Sequence, residues 1–165
     1  MTTLAVAVTG RGIVGVHEPV IAADDEALSR GRAVFETLRV YGGRRFRLDE
    51  HLARLAQSAA RIGLDPPPLE DFRRLSALAL KEAGVPDATL RLTWTPGGVG
   101  IALVGDVPPE IEAVRGRGAK LVSLAGPAGD APWLLGGVKS TSYAVNVAAQ
   151  AEAQRRGADD AIFLT

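Results

Sequence analysis

A lysine can form a Schiff base with a carbonyl compound, and an arginine cannot. The chain carries only three lysines, Lys81, Lys120 and Lys139, in a set of 19 basic residues that is otherwise arginine. Lys139 has the surroundings a reactive amine needs. It follows the apolar, glycine-bearing run Trp133-Leu134-Leu135-Gly136-Gly137-Val138 and precedes Ser140-Thr141-Ser142-Tyr143, a hydroxyl-rich helix start. An apolar setting disfavours the ammonium and leaves some neutral amine. A neighbouring helix N-terminus pushes the same way, and its amides can receive a phosphate. Tyr143 can aim its phenol at the same place. Spacing alone leaves a second reading of Lys139 open, a surface lysine capping a strand. Lys81, near the end of an amphipathic helix, and Lys120, opening a strand, are expected in solvent.

A second group precedes it. His51, Arg54, Ser58 and Arg61 recur at steps of three and four, so they share one helix face beside an apolar stripe. An arginine there can hold a phosphate bidentately. The alternative for Arg54 is a solvated or salt-bridged surface arginine. His51 is expected to pack or cap at the helix start. Glu36 shares a strand face with Leu38 and is expected as an outward carboxylate.

The elements that position these groups follow from periodicity. Short apolar runs at 4–8, 13–16 and 20–22 predict strands. Val34 to Tyr41 alternates apolar and polar as a half-buried strand does, and Gly42-Gly43 turns it into a returning strand at 44–48. Asp49 is expected to N-cap a helix whose stripe is Leu52, Leu55, Ala59 and Ile62, stopped by Gly63. A second helix is expected from Leu69 to Ala83, then strands at 89–95 and 101–104. Pro108-Pro109 and the charged stretch to Gly118 read as a boundary. Beyond it come a strand at 120–124, a loop at 126–130, a helix from Ser142 to Arg156 and a strand at 161–164. The order predicts an α+β fold with an antiparallel sheet.

Gly10-Arg11-Gly12-Ile13-Val14-Gly15 has dinucleotide-binding spacing. That fingerprint works only where a helix opens at the glycines, facing the pyrophosphate. Here the sequence stays strand-like, Pro19 follows, and Arg30 stands where an acidic ribose partner would fall. A glycine-rich hairpin is expected instead.

Composition narrows the class. Of the 165 residues, 47% are hydrophobic, enough to bury a core, and the formal net charge of zero gives no basic footprint for nucleic acid. Without cysteine, and with only His17 and His51, no metal site is expected. The N-terminus has neither the basic start nor the apolar stretch of a signal peptide, and no run reaches membrane-spanning length. A cytoplasmic setting is expected.

Two separated stretches carry a family resemblance. Arg30-Gly31-Arg32-Ala33-Val34-Phe35-Glu36-Thr37-Leu38-Arg39-Val40, with Phe46-Arg47-Leu48-Asp49-Glu50-His51-Leu52-Ala53-Arg54-Leu55 and Ser58-Ala59, resembles the N-terminal signature of class IV aminotransferases. Gly137-Val138-Lys139-Ser140-Thr141-Ser142-Tyr143-Ala144-Val145-Asn146, with Glu152-Ala153 and Gly157-Ala158-Asp159-Asp160-Ala161, resembles the lysine segment of the same fold-type IV enzymes, which use pyridoxal 5'-phosphate (PLP). The resemblance implies that Lys139 is the Schiff-base lysine and moves protons at the substrate carbon. It implies that Arg54 contacts the cofactor phosphate and that Tyr143 lies near the pyridine ring. It further implies a small α+β domain at 1–118, with antiparallel sheet and helices, followed at 119–165 by the beginning of a larger PLP-binding domain. A homodimer acting on a small amino substrate is expected.

Within that family, Pro132-Trp133-Leu134-Leu135 and the Lys139 to Asn146 run are most similar to aminodeoxychorismate lyases, which eliminate pyruvate to release 4-aminobenzoate for folate synthesis. Branched-chain and D-amino-acid transaminases share the cofactor machinery and are the alternative. Two departures bear on this. Many members have Thr-Arg-Gly where this chain has Thr95-Pro96-Gly97. The family also expects, beyond Thr165, a glutamate that pairs with the pyridine nitrogen. A fragment of a longer protein is therefore expected. The alternative of another class is a non-catalytic binding or dimerisation module on a truncated scaffold.

Overall fold

The computed structural model describes residues 2–126 and 136–164. The run Pro132-Trp133-Leu134-Leu135 and most of the loop expected at 126–130 lie outside them. The chain divides into two compact units, Met1–Val107 with Gly137–Thr141, and Pro108–Gly136 with Ser142–Thr165. The boundary expected at 118 falls one helix beyond this division.

In the first unit, the expected alternation becomes an antiparallel sheet. Its strands are β1 (Thr3–Val8), β2 (Gly12–Val14), β3 (Val34–Tyr41), β4 (Arg44–Arg45), β5 (Ala88–Trp94) and β6 (Gly100–Gly105). They lie in the order β2-β1-β6-β5-β3-β4. Between them the chain forms a short α1 (Glu26–Ser29) and two long helices, α2 (Leu48–Arg61) and α3 (Leu69–Ala83). Leu38 opposite Leu90, and Leu90 opposite Val104, put one apolar row across three strands. Leu52, Leu55 and Ala59 of α2 and Phe72, Leu75 and Ala79 of α3 close over that row as one core. Each of these side chains, taken out of water, contributes roughly 1.5–3 kcal/mol for its larger members.

Several local expectations change. The run at 20–22 is not a strand, and the return after the hairpin is only two residues long. Asp49 does not cap α2. The helix begins at Leu48 behind Arg47, which adopts a left-handed conformation at φ 50° without a side-chain cap. Asp49 lies in the first turn, where a carboxylate favours the helix dipole, and meets Arg73 at 2.8 Å. The candidate dinucleotide loop is a tight hairpin, with Val8 opposite Gly12 and positive φ at Gly10 and Gly12.

The second unit starts with α4 (Pro109–Arg117), where only a charged boundary was expected. Its sequence explains it in retrospect. Proline stands at the first turn, Glu110 and Glu112 follow, and Arg115 and Arg117 close the last turn, as the helix dipole favours. Then β7 (Leu121–Ala125) pairs in parallel with β8 (Asp160–Leu164), and α5 (Ala144–Arg155) comes between them in the chain. A helix in that connection is what parallel neighbours require.

Candidate functional site

Lys139 belongs to the first unit, although it is remote in sequence. Residues 139–141 run antiparallel beside the first half of β3. The Phe35 amide donates to the Lys139 carbonyl at 3.0 Å, and the Thr141 amide donates to Ala33 at 2.8 Å. The Thr141 hydroxyl donates to the Gly31 carbonyl at 2.8 Å, and Val34 bridges Ser140. Backbone pairing with Phe35 puts the Lys139 side chain on the Phe35 side of the strand.

There the amine lies 4.2 Å from the centre of the Phe35 ring. The Arg91 guanidinium lies over the same ring at 3.9 Å. Burial holds the Lys139 amine below the ordinary lysine value. The Glu36 charge works against that shift, and Arg54 and Arg91 work with it. This is the direction a nucleophilic amine needs. Lys81 and Lys120 are exposed, as expected.

The face of α2 named from spacing does assemble, and it does so around Glu36. That carboxylate is fully buried, with 0% exposure, against the expectation of an outward group. Arg54 Nε donates to Oε1 and Nη2 to Oε2, both at 2.5 Å. His51 Nδ1 donates to Oε2 at 2.8 Å, a more specific task than packing or capping. Burial alone would raise the Glu36 pKa, but the hydrogen bonds from Arg54 and His51 outweigh it and hold the carboxylate below its ordinary value. Further along the same face, Ser58 Oγ accepts from the Lys139 amide at 3.4 Å. A β-carbon at Gly137 would lie 3.5 Å from Arg61 Nη1. All four residues of the row thus meet Glu36 or the lysine segment.

Thr95-Pro96-Gly97 is held by Asp25, whose carboxylate accepts from the Gly97 amide at 3.2 Å and from Ala27 at 2.8 Å. Tyr143 belongs to the second unit, where it precedes α5 with 42% of its surface exposed. Among the described residues there is no cluster of three or more possible metal ligands, and no helix is long and apolar enough to cross a membrane.

Sequence reasoning missed three participants, Glu36 as a buried anion and Phe35 and Arg91 as the lysine's neighbours. The signal for Glu36 was present, because period two puts it on the face of Val34, Leu38 and Val40. Nothing in the spacing singles out Arg91, which reaches Phe35 through the register of β3 with β5.

An antiparallel sheet capped by two helices matches the fold of class IV aminotransferases. The chain belongs to that family: the model described as amino-transferase class IV matches residues 33–165. Members of the family are PLP-dependent lyases or transaminases. The chain is 37% identical over 161 residues to a bifunctional aminodeoxychorismate lyase / D-amino acid transaminase of Mycobacterium tuberculosis, covering 89% of this chain and 56% of that protein. It is 29% identical over 157 residues to a chloroplastic D-amino-acid transaminase of Arabidopsis thaliana, covering 88% of this chain and 41% of that one. An aminotransferase from Mycobacterium tuberculosis, described as hypothetical and solved in a PLP-bound form, superposes with a TM-score of 0.89 at 36% identity, over 97% of this chain and 62% of that chain. The chain thus spans about half the length of the curated relatives it matches.

Proposed function

We propose that this chain carries the lysine-bearing part of a PLP-dependent aminodeoxychorismate lyase, which eliminates pyruvate and releases 4-aminobenzoate. The observation that carries the cofactor assignment is the Lys139 amine, pinned along β3, laid on Phe35 and held below its ordinary pKa by burial. PLP, when bound, supplies an aldehyde carbon and an electron-accepting ring. The donor set fits that group. Lys139 offers the amine that would hold it covalently, and Arg54 offers a guanidinium for its phosphate. Tyr143 would lie beside the ring.

The chain's own part in the chemistry is proton handling and exclusion of water. A neutral Lys139 Nζ can take a proton from a substrate carbon and return it. Phe35 shields that nitrogen on one side. The Ser58 hydroxyl and the pairing with β3 fix the backbone from which it reaches. A homodimer, a cytoplasmic setting and a role in folate synthesis belong to the same proposal. A D-amino-acid transaminase is the second reading, favoured by the Arabidopsis relative and by the double name of the mycobacterial one.

The test is reduction with borohydride in the presence of PLP, followed by peptide mapping, with Lys139→Ala as control. A pyridoxyl group on Lys139 that vanishes in the control is the expected result. Labelling elsewhere, or none, would sink the cofactor assignment. Release of 4-aminobenzoate without amino transfer to a 2-oxo acid would then separate lyase from transaminase.

A further inference from the structure

A guanidinium has five N–H donors arranged along rigid edges. In Arg54 one edge is spent. Its Nε and Nη2 each donate to a different oxygen of Glu36, which lies beneath it with no exposed surface. The Arg54 side chain is itself 52% exposed. Of the N–H groups left over, the one on Nη2 lies near His51, with Nη2 3.4 Å from Nδ1, and the two on Nη1 point away from Glu36. Glu36 in turn cannot swing, because His51 holds Oε2 from the same helix.

We infer that Glu36 is a positioning residue: by occupying the inner edge of Arg54 it aims the outer edge at a phosphate monoester. The inference rests on the cofactor assignment above and names what gives that phosphate contact its direction. It is distinct from a role by charge. The Glu36–Arg54 pair is formally neutral, so the phosphate is recognised through oriented donors rather than a net cation. Removing the Glu36 charge would add one positive charge to the site, and charge alone would then strengthen phosphate binding. Loss of aim weakens it. The two accounts differ in sign.

The experiment titrates PLP, and separately pyridoxal, which lacks the phosphate, into the wild-type chain, Glu36→Gln and Glu36→Asp. The visible absorbance of the Lys139 adduct gives both affinities. In Glu36→Gln the preference for PLP over pyridoxal is expected to fall about tenfold, the worth of one charge-assisted bond. Any effect of the lost charge on the Lys139 amine acts on both ligands alike and cancels in that preference. Glu36→Asp keeps the charge, withdraws the carboxylate by one methylene, and should lose preference in the same direction. It also carries the test should Glu36→Gln not fold, as judged by far-ultraviolet circular dichroism. An unchanged or increased preference in the folded variants overturns the inference, as does an equal loss for both ligands, which marks a merely structural role. No adduct in the wild-type chain with either ligand overturns the cofactor assignment first, and this inference with it.

Discussion

Lys139 and Phe35 are joined twice, once through the backbone, where the Phe35 amide donates to the Lys139 carbonyl at 3.0 Å, and once through the side chains, with the amine 4.2 Å from the ring centre. The ring attracts the ammonium as a cation–π partner, yet it also excludes water, and burial is a larger influence on the amine than the charges of Glu36, Arg54 and Arg91. Lys139 is therefore expected to react fastest of the three lysines with an amine-directed acylating reagent near neutral pH. Phe35→Ala should admit water, raise the amine toward its ordinary value and slow that labelling. Equal labelling rates for Lys139 in the two proteins would refute the shielding role. The linkage has a definite sign. The folded state releases the Lys139 proton more readily than the unfolded state, so between the folded and the ordinary lysine value stability rises with pH. Lys139→Met should remove that slope.

Arg54 and Glu36 make a second prediction, on stability. Truncating Arg54 leaves a fully buried carboxylate held by His51 alone. Because Arg54 is half exposed, water can replace part of what it gave, and Arg54→Ala is expected to cost about 1–3 kcal/mol, less than breaking a fully buried pair. The pH dependence reverses with the mutation. In the wild-type chain the Glu36 value is depressed, so its contribution is present above the ordinary glutamate value and is lost as pH falls through the folded value. Without Arg54, burial raises the carboxyl, and the deficit should shrink on acidification as Glu36 takes a proton. Urea unfolding at a series of pH values reads both slopes. A deficit that grows toward acid would contradict the account.

Much of this fold was legible because its signals are periodic. Alternation placed β3, and the three-and-four spacing of His51, Arg54, Ser58 and Arg61 placed a row that the structure does bring to Glu36 and the lysine segment. What was not legible depended on register or on backbone geometry. The contact of Arg91 with Phe35 needs the pairing of β3 with β5. The start of α2 was misplaced because Arg47, not an Asp or Ser, adopts the left-handed conformation before it. Glu36 was misjudged because a carboxylate is a poor core residue until its partners are known, and those lie fifteen and eighteen positions away on α2.

Two glycines should respond to alanine with opposite sign. Gly100 opens β6 against α3, and a β-carbon there would lie 2.7 Å from Thr9 Cγ2 and 3.1 Å from Phe72 Cζ. Phe72 is fully buried and has Trp94 edge-on at 6.4 Å, so it has little room to yield. Gly100→Ala is expected to cost about 1–3 kcal/mol through overpacking. Gly116 lies within α4 with open space around it and without positive φ. Gly116→Ala should leave stability unchanged or raise it by up to roughly 1 kcal/mol, the difference in helix propensity. Thermal melts of the two variants beside the wild type decide it. A neutral Gly100→Ala would mean that Phe72 repacks more freely than its surroundings imply.

In the second unit, Asp159 ties the end of α4 to the start of both parallel strands. Arg117 donates to its two oxygens at 2.9 and 2.6 Å, and the Lys120 amide donates to Oδ2 at 2.8 Å. The Asp159 amide returns a bond to the Lys120 carbonyl at 2.8 Å. The Arg117 hydrogen bonds first, and the Lys120 amide second, lower the carboxyl to about 2. A depressed carboxyl stabilises the fold above its ordinary value, and that contribution disappears as pH falls from about 4 through about 2. Arg117→Gln removes the larger cause but leaves the Lys120 amide in place, so the Asp159 carboxyl should titrate between about 2 and the ordinary 3.8. A carbon-detected NMR titration of the Asp159 side chain measures this directly. Hydrogen exchange at the Lys120 amide should quicken in acid over the same range, since protonation removes the acceptor's charge. A carboxyl still at about 2 in Arg117→Gln would assign the depression to the strand amide, and α4 would then be a passenger of this unit rather than one of its anchors.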